Sequence, residues 1–219
     1  MPKTSDARKG ARWQLSRDAL LDSAAKTFLR YGIQGTTIRQ LANDAGIALG
    51  GLYLYFKSKD ELVSAVYERG LSAIVSEVRY AVNALPRDMA PLDRLEFAIR
   101  VHIRAAARHG DYTTLMESAR QTTEKEMLQP FLKVSNEYQR FWKQLLGDAQ
   151  SHGALRADIT AGRFLYVLTG AMTWMADKYQ PARGPLEPLI DDLVNIFLAK
   201  PPGARAKAGY KRGRNSKSG

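Results

Sequence analysis

Two glycines, two tyrosines and a lysine stand close together in the first third of this 219-residue sequence. They are Gly50, Gly51, Tyr53, Tyr55 and Lys59. A glycine has no side chain, so its backbone can approach another surface closely. Tyrosine hydroxyls and a lysine ammonium donate hydrogen bonds to phosphate oxygens. We therefore expect this segment to contact the base edges and phosphates of a nucleic acid and not to perform covalent chemistry.

The residue sets that indicate catalysis are missing from the sequence. It contains no cysteine, which excludes thiol nucleophiles, thiolate metal sites and disulfides. Of the histidines, His102 and His109 are seven residues apart and His152 is distant, so no HExxH-type metal motif exists. No GxSxG elbow, Walker loop or strand-linked GxGxxG occurs. We expect no catalytic residue, metal or cofactor.

Helix signals place the glycine–tyrosine segment on the last of three short helices. Ser16 is a candidate N-cap for the first helix, and Gly32 is its stop. Thr37 opens the second helix with the spacing of a capping box, and Gly46 breaks that helix. The third helix covers residues 48–56. Such a trio describes a helix-turn-helix, in which the second helix of the pair enters the major groove of DNA.

The rest of the chain also has a helical pattern, without strand-like alternation or repeats. Ser58 caps a long helix, and further helices are predicted to begin at Pro91, Pro130, Asp158 and Pro185, with an irregular stretch over 112–128. We predict an all-α fold, with an N-terminal three-helix DNA-binding domain and a C-terminal helical domain for ligand binding and dimerisation. The predicted divisions are a basic arm (1–15), the helix-turn-helix (16–62), the body (63–200) and a disordered basic tail (201–219).

The formal net charge of +11 is concentrated at the two ends of the chain. Residues 1–17 have five basic side chains and one acidic one, and residues 201–219 have six basic side chains and none that is acidic. Basic ends suit contact with DNA because each neutralised phosphate releases a counterion. Solvated disordered tails explain the same charges, and the charge alone does not decide between these interpretations.

The sequence has no sign of export or membrane insertion. Its N-terminus is polar and basic, without the apolar segment of a signal peptide. The longest largely apolar stretch, Phe164 to Ala176, is thirteen residues long. That is shorter than the roughly 18 to 20 residues that span a bilayer. We expect a soluble, cytoplasmic protein without a membrane partner.

The helix-turn-helix region resembles a known family. The similarity rests on the run Gly32-Ile33-Gln34-Gly35-Thr36-Thr37-Ile38, then Leu41-Ala42, Ala45-Gly46-Ile47, Gly50, Leu52-Tyr53, Tyr55-Phe56 and Ser58-Lys59. Together these residues are similar to the DNA-binding signature of the TetR family of transcriptional regulators. The remainder of the chain matches that family in the layout of its helices.

The resemblance implies a set of DNA-binding positions. They are Thr36 and Thr37 (phosphate), Arg39 (phosphate or base edge), Leu49, Gly50 and Gly51 (bases), and Tyr53, Tyr55 and Lys59 (phosphate). The chain departs from the family at Ala48 and Leu49, where members often have Ser or Thr followed by Lys. Direct hydrogen bonding to bases should therefore be sparse, with Leu49 packing on a thymine methyl and groove shape supplying the remainder.

Structural roles are the alternative for some residues of this region. Tyr53 is amphipathic and could lie partly in the core, and Thr37 could act only as an N-cap. Five apolar residues are expected to form the core of the small domain: Leu41, Ala42, Ala45, Leu52 and Phe56.

Two helices near the end of the chain have wide apolar faces, which indicates burial on more than one side. Pairing with a symmetry mate as a four-helix bundle satisfies this, and the TetR resemblance implies the same homodimer. The expected interface residues are Phe164, Leu168, Ala171, Met175, Leu189 and Leu193. A twofold dimer predicts a pseudo-palindromic operator. The alternative is that these residues form an ordinary monomer core.

The middle of the chain is rich in aromatic residues and methionine, as small-molecule pockets are. The candidate effector-binding residues are His102, Arg104, Met116, Tyr138 and Trp142, although helical spacing also fits a simple core role for the apolar ones. Residues 168–179 are similar to the dimer helix of TetR members that respond to acyl-CoA or steroid-CoA thioesters.

These features predict a DNA-binding transcriptional regulator of the repressor type. It is expected to bind double-stranded palindromic operator DNA and to be released by a small-molecule effector, either a coenzyme A thioester or another apolar ligand. We expect the effector to change the distance between the two DNA-binding domains of the dimer. The long helix that begins after Ser58 would transmit this change. The alternative is an effector-independent architectural DNA-binding protein, which would coat DNA broadly and not protect one defined site.

Overall fold

The computed structural model describes residues 4–122 and 129–198, and within these ranges the chain forms nine α-helices, one 3-10 turn and no strand. The all-α prediction is confirmed. The helices are α1 (Thr4–Tyr31), α2 (Ile38–Asp44), α3 (Leu49–Tyr53), α4 (Lys59–Asn83), α5 (Pro91–Arg108), α6 (Gly110–Thr122), α7 (Gln129–Ser151), α8 (Ala161–Lys178) and α9 (Glu187–Leu198), with the 3-10 turn at Pro181–Arg183.

Several helix ends lie where the sequence signals predicted them. The Thr37 side chain accepts a hydrogen bond from the Gln40 amide, and the Ser58 side chain accepts one from the Glu61 amide. Gly32 and Gly46 follow α1 and α2 with φ of 72° and 68°, a left-handed conformation that ends a helix at little cost only in glycine. These stops separate the three short helices.

Two helix starts differ from the prediction by three residues or more, and α9 begins at Glu187, two residues after the predicted Pro185. Helix α1 begins at Thr4 and runs through Ser16, so the backbone of the predicted basic arm is helical over 4–15. Those residues include no proline, and serine inside a helix costs little. Helix α8 begins at Ala161 because Thr160 caps it, whereas the Asp158 carboxylate pairs with Arg156.

The predicted irregular stretch over 112–128 is also corrected, since α6 covers its first part. The Thr113 hydroxyl shares its one proton between the Ala106 and His109 carbonyls at the end of α5, at 3.0 and 3.3 Å, which fixes the turn between the two helices. The rest of that stretch, together with the predicted tail over 201–219, lies outside the described residues.

The protein has two apolar cores, and α4 contributes to both. Its first turns bury Val66 and Tyr67 in the core of the small domain, and its later turns bury Val78 and Val82 in the core of the body. A rigid helix that is packed into both cores can transmit a displacement between them.

Helix α6 joins the same two parts, although it belongs to the body in sequence. Tyr112 and Leu115 are buried in the core of the small domain. The half-buried Met116 packs against both cores. The small domain therefore rests on a helix of the body as well as on α4. In the described ranges, no helix has an apolar run that could cross a bilayer.

Candidate DNA-binding surface and effector site

Helix α3 is five residues long and is held from one side. Leu52 and Phe56 are 2% and 1% exposed and anchor the helix and its following turn in the small core. On the outer side, Gly50 is exposed, and a Cβ atom built there would meet nothing within 4 Å. Tyr53 is 49% exposed beside it. This arrangement leaves a slim face that can enter the major groove, which is about 12 Å wide.

Helix α2 lies against α1 through a hydrogen bond of 2.8 Å from the Thr27 hydroxyl to the Asp44 carboxylate. The Thr37 and Arg39 side chains are exposed at its start. Thr36 differs, because it is 2% exposed and its hydroxyl donates a 2.7 Å hydrogen bond to the Gly32 carbonyl. This burial contradicts a phosphate contact by the Thr36 side chain, which serves to close the α1–α2 turn.

The other expected DNA-contacting residues are partly buried. Leu49 and Tyr55 pack against the small core. A Cβ atom added at Gly51 would lie 3.9 Å from the Ile47 Cδ1 atom, an ordinary van der Waals contact. The Lys59 ammonium donates a 3.5 Å hydrogen bond to the Gln34 carbonyl. This bond links the start of α4 to the loop before α2 and keeps the Lys59 ammonium on the same side of the domain as that loop.

Leu54 was missed by the sequence analysis. Its side chain is 80% exposed directly after α3, next to Tyr53. Together with Tyr53, it adds apolar surface beside α3 that a bound partner can cover. Buried residues of a helix recur three and four positions apart, and the apolar run Tyr53-Leu54-Tyr55 alone does not show that Leu54 points outward.

Family models match both parts of the chain. Residues 20–66 match the model described as "Bacterial regulatory proteins, tetR family". Residues 88–199, more than half of the chain, match "Tetracyclin repressor-like, C-terminal domain". The chain belongs to the TetR family.

Individual relatives agree with this assignment. The HTH-type transcriptional repressor KstR2 of Mycolicibacterium smegmatis is 27% identical over 172 residues, which cover 78% of this chain and 82% of that protein. Two solved structures share the fold at lower identity. AibR, in complex with isovaleryl coenzyme A and operator DNA, has a TM-score of 0.72 at 20% identity, with 84% of this chain and 98% of that chain covered. FadR of Bacillus subtilis, in complex with stearoyl-CoA, has a TM-score of 0.71 at 14% identity, with 83% and 97% covered.

Three of the five candidate effector residues meet inside the TetR-like body. The Tyr138 hydroxyl lies 2.9 Å from His102 Nδ1, and the rings of His102, Tyr138 and Trp142 are 5.8 Å apart in each pairing. Burial lowers the pKa of His102 to about 4, so the imidazole is neutral at pH 7. The cluster therefore combines an aromatic surface with one neutral polar pair.

The other two candidates lie elsewhere. The Arg104 guanidinium is on the surface, where it donates hydrogen bonds of 2.8 and 2.6 Å to the Glu187 carboxylate of α9. It faces away from the cluster because residues two positions apart on a helix, here His102 and Arg104, point in different directions. Met116 packs between the two cores. Arg104 therefore fastens α9 to α5 and is not placed to reach a ligand beside His102.

The expected dimer residues divide between the inside and the outside of the protomer. Phe164, Leu168 and Leu193 are 6%, 0% and 4% exposed in the single chain, so they form its core and have almost no surface to offer a partner. Ala171 and Met175 are half-buried, whereas Leu189 is 45% exposed. The burial of the first three residues corrects the expected interface.

Five large apolar residues of α8 and α9 are exposed, and we call them together the α8–α9 face. Its members are Tyr166, Val167, Trp174, Leu189 and Ile196, which are 82%, 59%, 68%, 45% and 75% exposed. Helix α8 is thus apolar on two sides, and burial in the protomer accounts for only one of them. Exposed apolar patches of this kind mark interaction sites.

A polar network connects the small domain with α4 and α6. The Arg69 guanidinium of α4 contacts Asp22 and Asp18 of α1, at 3.0 and 3.1 Å. The Tyr112 hydroxyl of α6 donates a 2.5 Å hydrogen bond to Asp22. Burial raises the pKa of Asp22, but the hydrogen bonds from Arg69 and Tyr112 outweigh it, so this pKa lies below its ordinary value. The network fixes α6 against the DNA-binding domain.

Proposed function

We propose that this TetR-family protein is a homodimeric transcriptional repressor that binds a pseudo-palindromic operator and is released by a small-molecule effector of the coenzyme A thioester class. The observation that carries the DNA-binding part is the slim outer face of α3. Gly50 is open on that face, while Leu52 and Phe56 anchor the helix from behind. We further propose that the protein acts in the cytoplasm as a binding protein without catalysis.

The proposed DNA contacts come from exposed and half-buried residues on and around α2 and α3. Gly50 and Gly51 let the backbone approach the base edges, and Tyr53 with Lys59 would contact the flanking phosphates. Thr37, Arg39 and Tyr55 extend the phosphate contacts on either side, and Leu49 and Leu54 supply apolar contacts to thymine methyl groups or sugars. We therefore expect affinity to depend strongly on salt and sequence choice to depend largely on groove shape.

The proposed dimer uses the α8–α9 face. An isologous twofold contact would bury this face on both copies at once and would place two copies of α3 on one side of the assembly. Two reading helices in successive major grooves require half-sites one helical turn, or a multiple of it, apart. The arrangement explains why large apolar residues stand outside the protomer core.

The effector is proposed to bind beside His102, Tyr138 and Trp142. AibR and FadR of Bacillus subtilis were solved with coenzyme A thioesters. The repressor KstR2 is a relative along most of the chain. An apolar acyl group suits an aromatic surface, and a thioester carbonyl suits the neutral His102–Tyr138 pair. Binding there would move α5 and α7 relative to α4 and α6, which are packed against the small domain.

The test uses a fluorescent duplex that contains the DNA upstream of the protein's own gene. We expect footprinting to show one protected palindrome and anisotropy to show tight binding. A coenzyme A thioester of suitable acyl length should weaken this binding by about 10-fold or more, since allosteric coupling is typically ~1–3 kcal/mol. The free carboxylic acid of the same acyl group serves as the ligand control.

Two tyrosine-to-alanine variants distinguish the loss of a DNA contact from the general effect of removing an exposed tyrosine. Tyr53→Ala should weaken binding to all duplexes and should leave sequence preference unchanged, because phosphate contacts carry no sequence information. Tyr80→Ala is the matched control, as Tyr80 is an exposed tyrosine on α4, remote from α3. Uniform coating of unrelated DNA, or thioester binding that leaves operator affinity unchanged, would contradict the proposed function and favour an architectural role.

A further inference from the structure

A cleft opens between α4 and α7 on the outside of the body. Its volume is about 330 Å³. It is lined by Arg79 of α4 and by Glu137, Arg140, Phe141 and Gln144 of α7. The four α7 residues stand at i, i+3, i+4 and i+7, so they share one face of the helix. Pockets for whole ligands begin at roughly 300 Å³, so the cleft has room for part of a large ligand.

The two arginines of the cleft differ from three other arginines of the body in the partners they have. Arg100, Arg104 and Arg108 each pair with a carboxylate. Among the described residues, neither Arg79 nor Arg140 has such a partner. A guanidinium matches phosphate oxygens with two parallel hydrogen bonds, and both of these arginines are exposed and therefore accessible to a ligand. The cleft therefore presents two cations that are suited to a phosphate-bearing group.

Phe141 links this cleft to the buried aromatic cluster. The Arg79 guanidinium lies 5.7 Å from the centre of the Phe141 ring. The same ring stacks on Tyr138 at 6.0 Å with an interplanar angle of 10°, and Tyr138 contacts His102. One aromatic side chain thus has the two arginines on its outer side and the proposed effector site on its inner side. A ligand with an anionic end and an apolar end would fit across it.

DNA is not a suitable occupant of the cleft. Arg79 is twenty residues beyond Lys59 on α4. At a rise of 1.5 Å per residue, this places it about 30 Å along the helix from the start of α4. Duplex DNA bound at α3 would not extend to the cleft. The negative charge that Arg79 and Arg140 attract must come from another source.

We infer that the α4–α7 cleft binds the phosphate-bearing nucleotide end of a coenzyme A thioester, with Arg79 and Arg140 contacting its phosphates. This inference rests on the proposed function, because the acyl end would lie beside His102, Tyr138 and Trp142. Glu137, also in the cleft, disfavours a simple anion and can accept hydrogen bonds from an amino or hydroxyl group of the ligand. The cleft would thus recognise the coenzyme A part of the ligand, while the buried cluster of His102, Tyr138 and Trp142 would recognise its acyl group.

Calorimetry with free coenzyme A tests the inference on the full chain. We expect Arg79→Gln and Arg140→Gln each to weaken coenzyme A binding by about 10-fold, because each removes a charge-assisted contact. Arg163→Gln is the matched control, since Arg163 is an exposed arginine of α8 outside the cleft. Thermal unfolding of each variant checks its fold. Inorganic pyrophosphate should bind far more weakly than coenzyme A.

Three results would overturn the inference: no binding of coenzyme A to the wild-type protein, unchanged binding in both cleft variants, or pyrophosphate binding as tight as that of coenzyme A. Operator release by an acyl-CoA, measured in the same variants, separates this outcome from failure of the proposed function. Equal release in wild type and cleft variants would overturn the cleft alone. Arginine-dependent coenzyme A binding without any operator release would support the cleft and contradict the proposed function.

Discussion

Gly70 of α4 and Tyr112 of α6 are packed so closely that a Cβ atom added at Gly70 would lie 2.5 Å from the Tyr112 Cβ. The aromatic ring of Tyr112 runs along the α4 backbone at this point, and its hydroxyl reaches Asp22 of α1. The missing side chain at Gly70 therefore allows three helices to meet. It also sets the position of the DNA-binding domain on the body.

Substitution of Gly70 by alanine tests this packing. The added methyl group would overlap the Tyr112 side chain and push α6 away, so we expect the free energy of unfolding to fall by ~1–3 kcal/mol. Gly147→Ala is the matched control in α7, where an added Cβ meets nothing within 4 Å. That change should stabilise the protein by up to ~1 kcal/mol through helix propensity. Urea unfolding of both variants measures the contrast, and equal effects of the same sign would refute the tight contact.

The pH dependence of stability tests the buried His102–Tyr138 pair. The pKa of His102 is lowered from its ordinary value of 6.5 to about 4, so the unfolded chain binds a proton in this window and the folded chain does not. Stability should therefore fall as the pH decreases from about 6.5 to about 4, by a total of about 3 kcal/mol. Burial also lowers the pKa of His109, which adds to the fall with the same sign.

His102→Gln removes the first of these contributions and keeps a polar partner for the Tyr138 hydroxyl. We expect its unfolding free energy, followed by urea titration at several pH values, to change much less between pH 6.5 and pH 4 than that of the wild type. The exposed His152 provides the control variant, His152→Gln. A pH profile of His102→Gln that coincides with the wild-type profile would show that His102 is not buried in its neutral form.

The α8–α9 face should determine the oligomeric state. Trp174→Asp or Ile196→Asp places a charge on a surface that would be covered in a dimer, so we expect monomers in sedimentation velocity at micromolar concentration. Operator affinity should fall by about 10-fold or more, because the two half-sites are then bound independently. Tyr80→Asp, an equally exposed position on α4, should leave the protein dimeric. Dimers of unchanged stability in the Trp174 and Ile196 variants would rule out this face.

The small domain could be predicted from the sequence because its signals are local. Thr37 and Ser58 cap helices within three residues of themselves, and Gly32 and Gly46 adopt the left-handed backbone that ends a helix. Apolar residues at positions three and four apart then define the buried side. Each of these signals depends on neighbours in the sequence, which explains why the helix-turn-helix was identified without knowledge of tertiary contacts.

The interface and the effector region depend on contacts between distant residues. Leu168 and Val167 are both apolar neighbours on α8, but only packing against other helices shows that Leu168 is buried and Val167 is 59% exposed. Likewise, Arg79 and Arg140 share a cleft although they are far apart in sequence. A single helical stripe cannot distinguish a protomer core from a partner surface, and that limit accounts for the corrected dimer residues.

The proposed approach of Gly50 to the base edges leaves no room for a side chain, and Gly50→Leu tests this approach most directly. Since an added Cβ at Gly50 meets no protein atom within 4 Å, the variant should unfold at the wild-type urea concentration or slightly above it. Its affinity for the operator duplex, measured by anisotropy, should fall by more than about 10-fold because the leucine would collide with the base edges. A folded Gly50→Leu protein that binds the operator as tightly as the wild type would contradict the account.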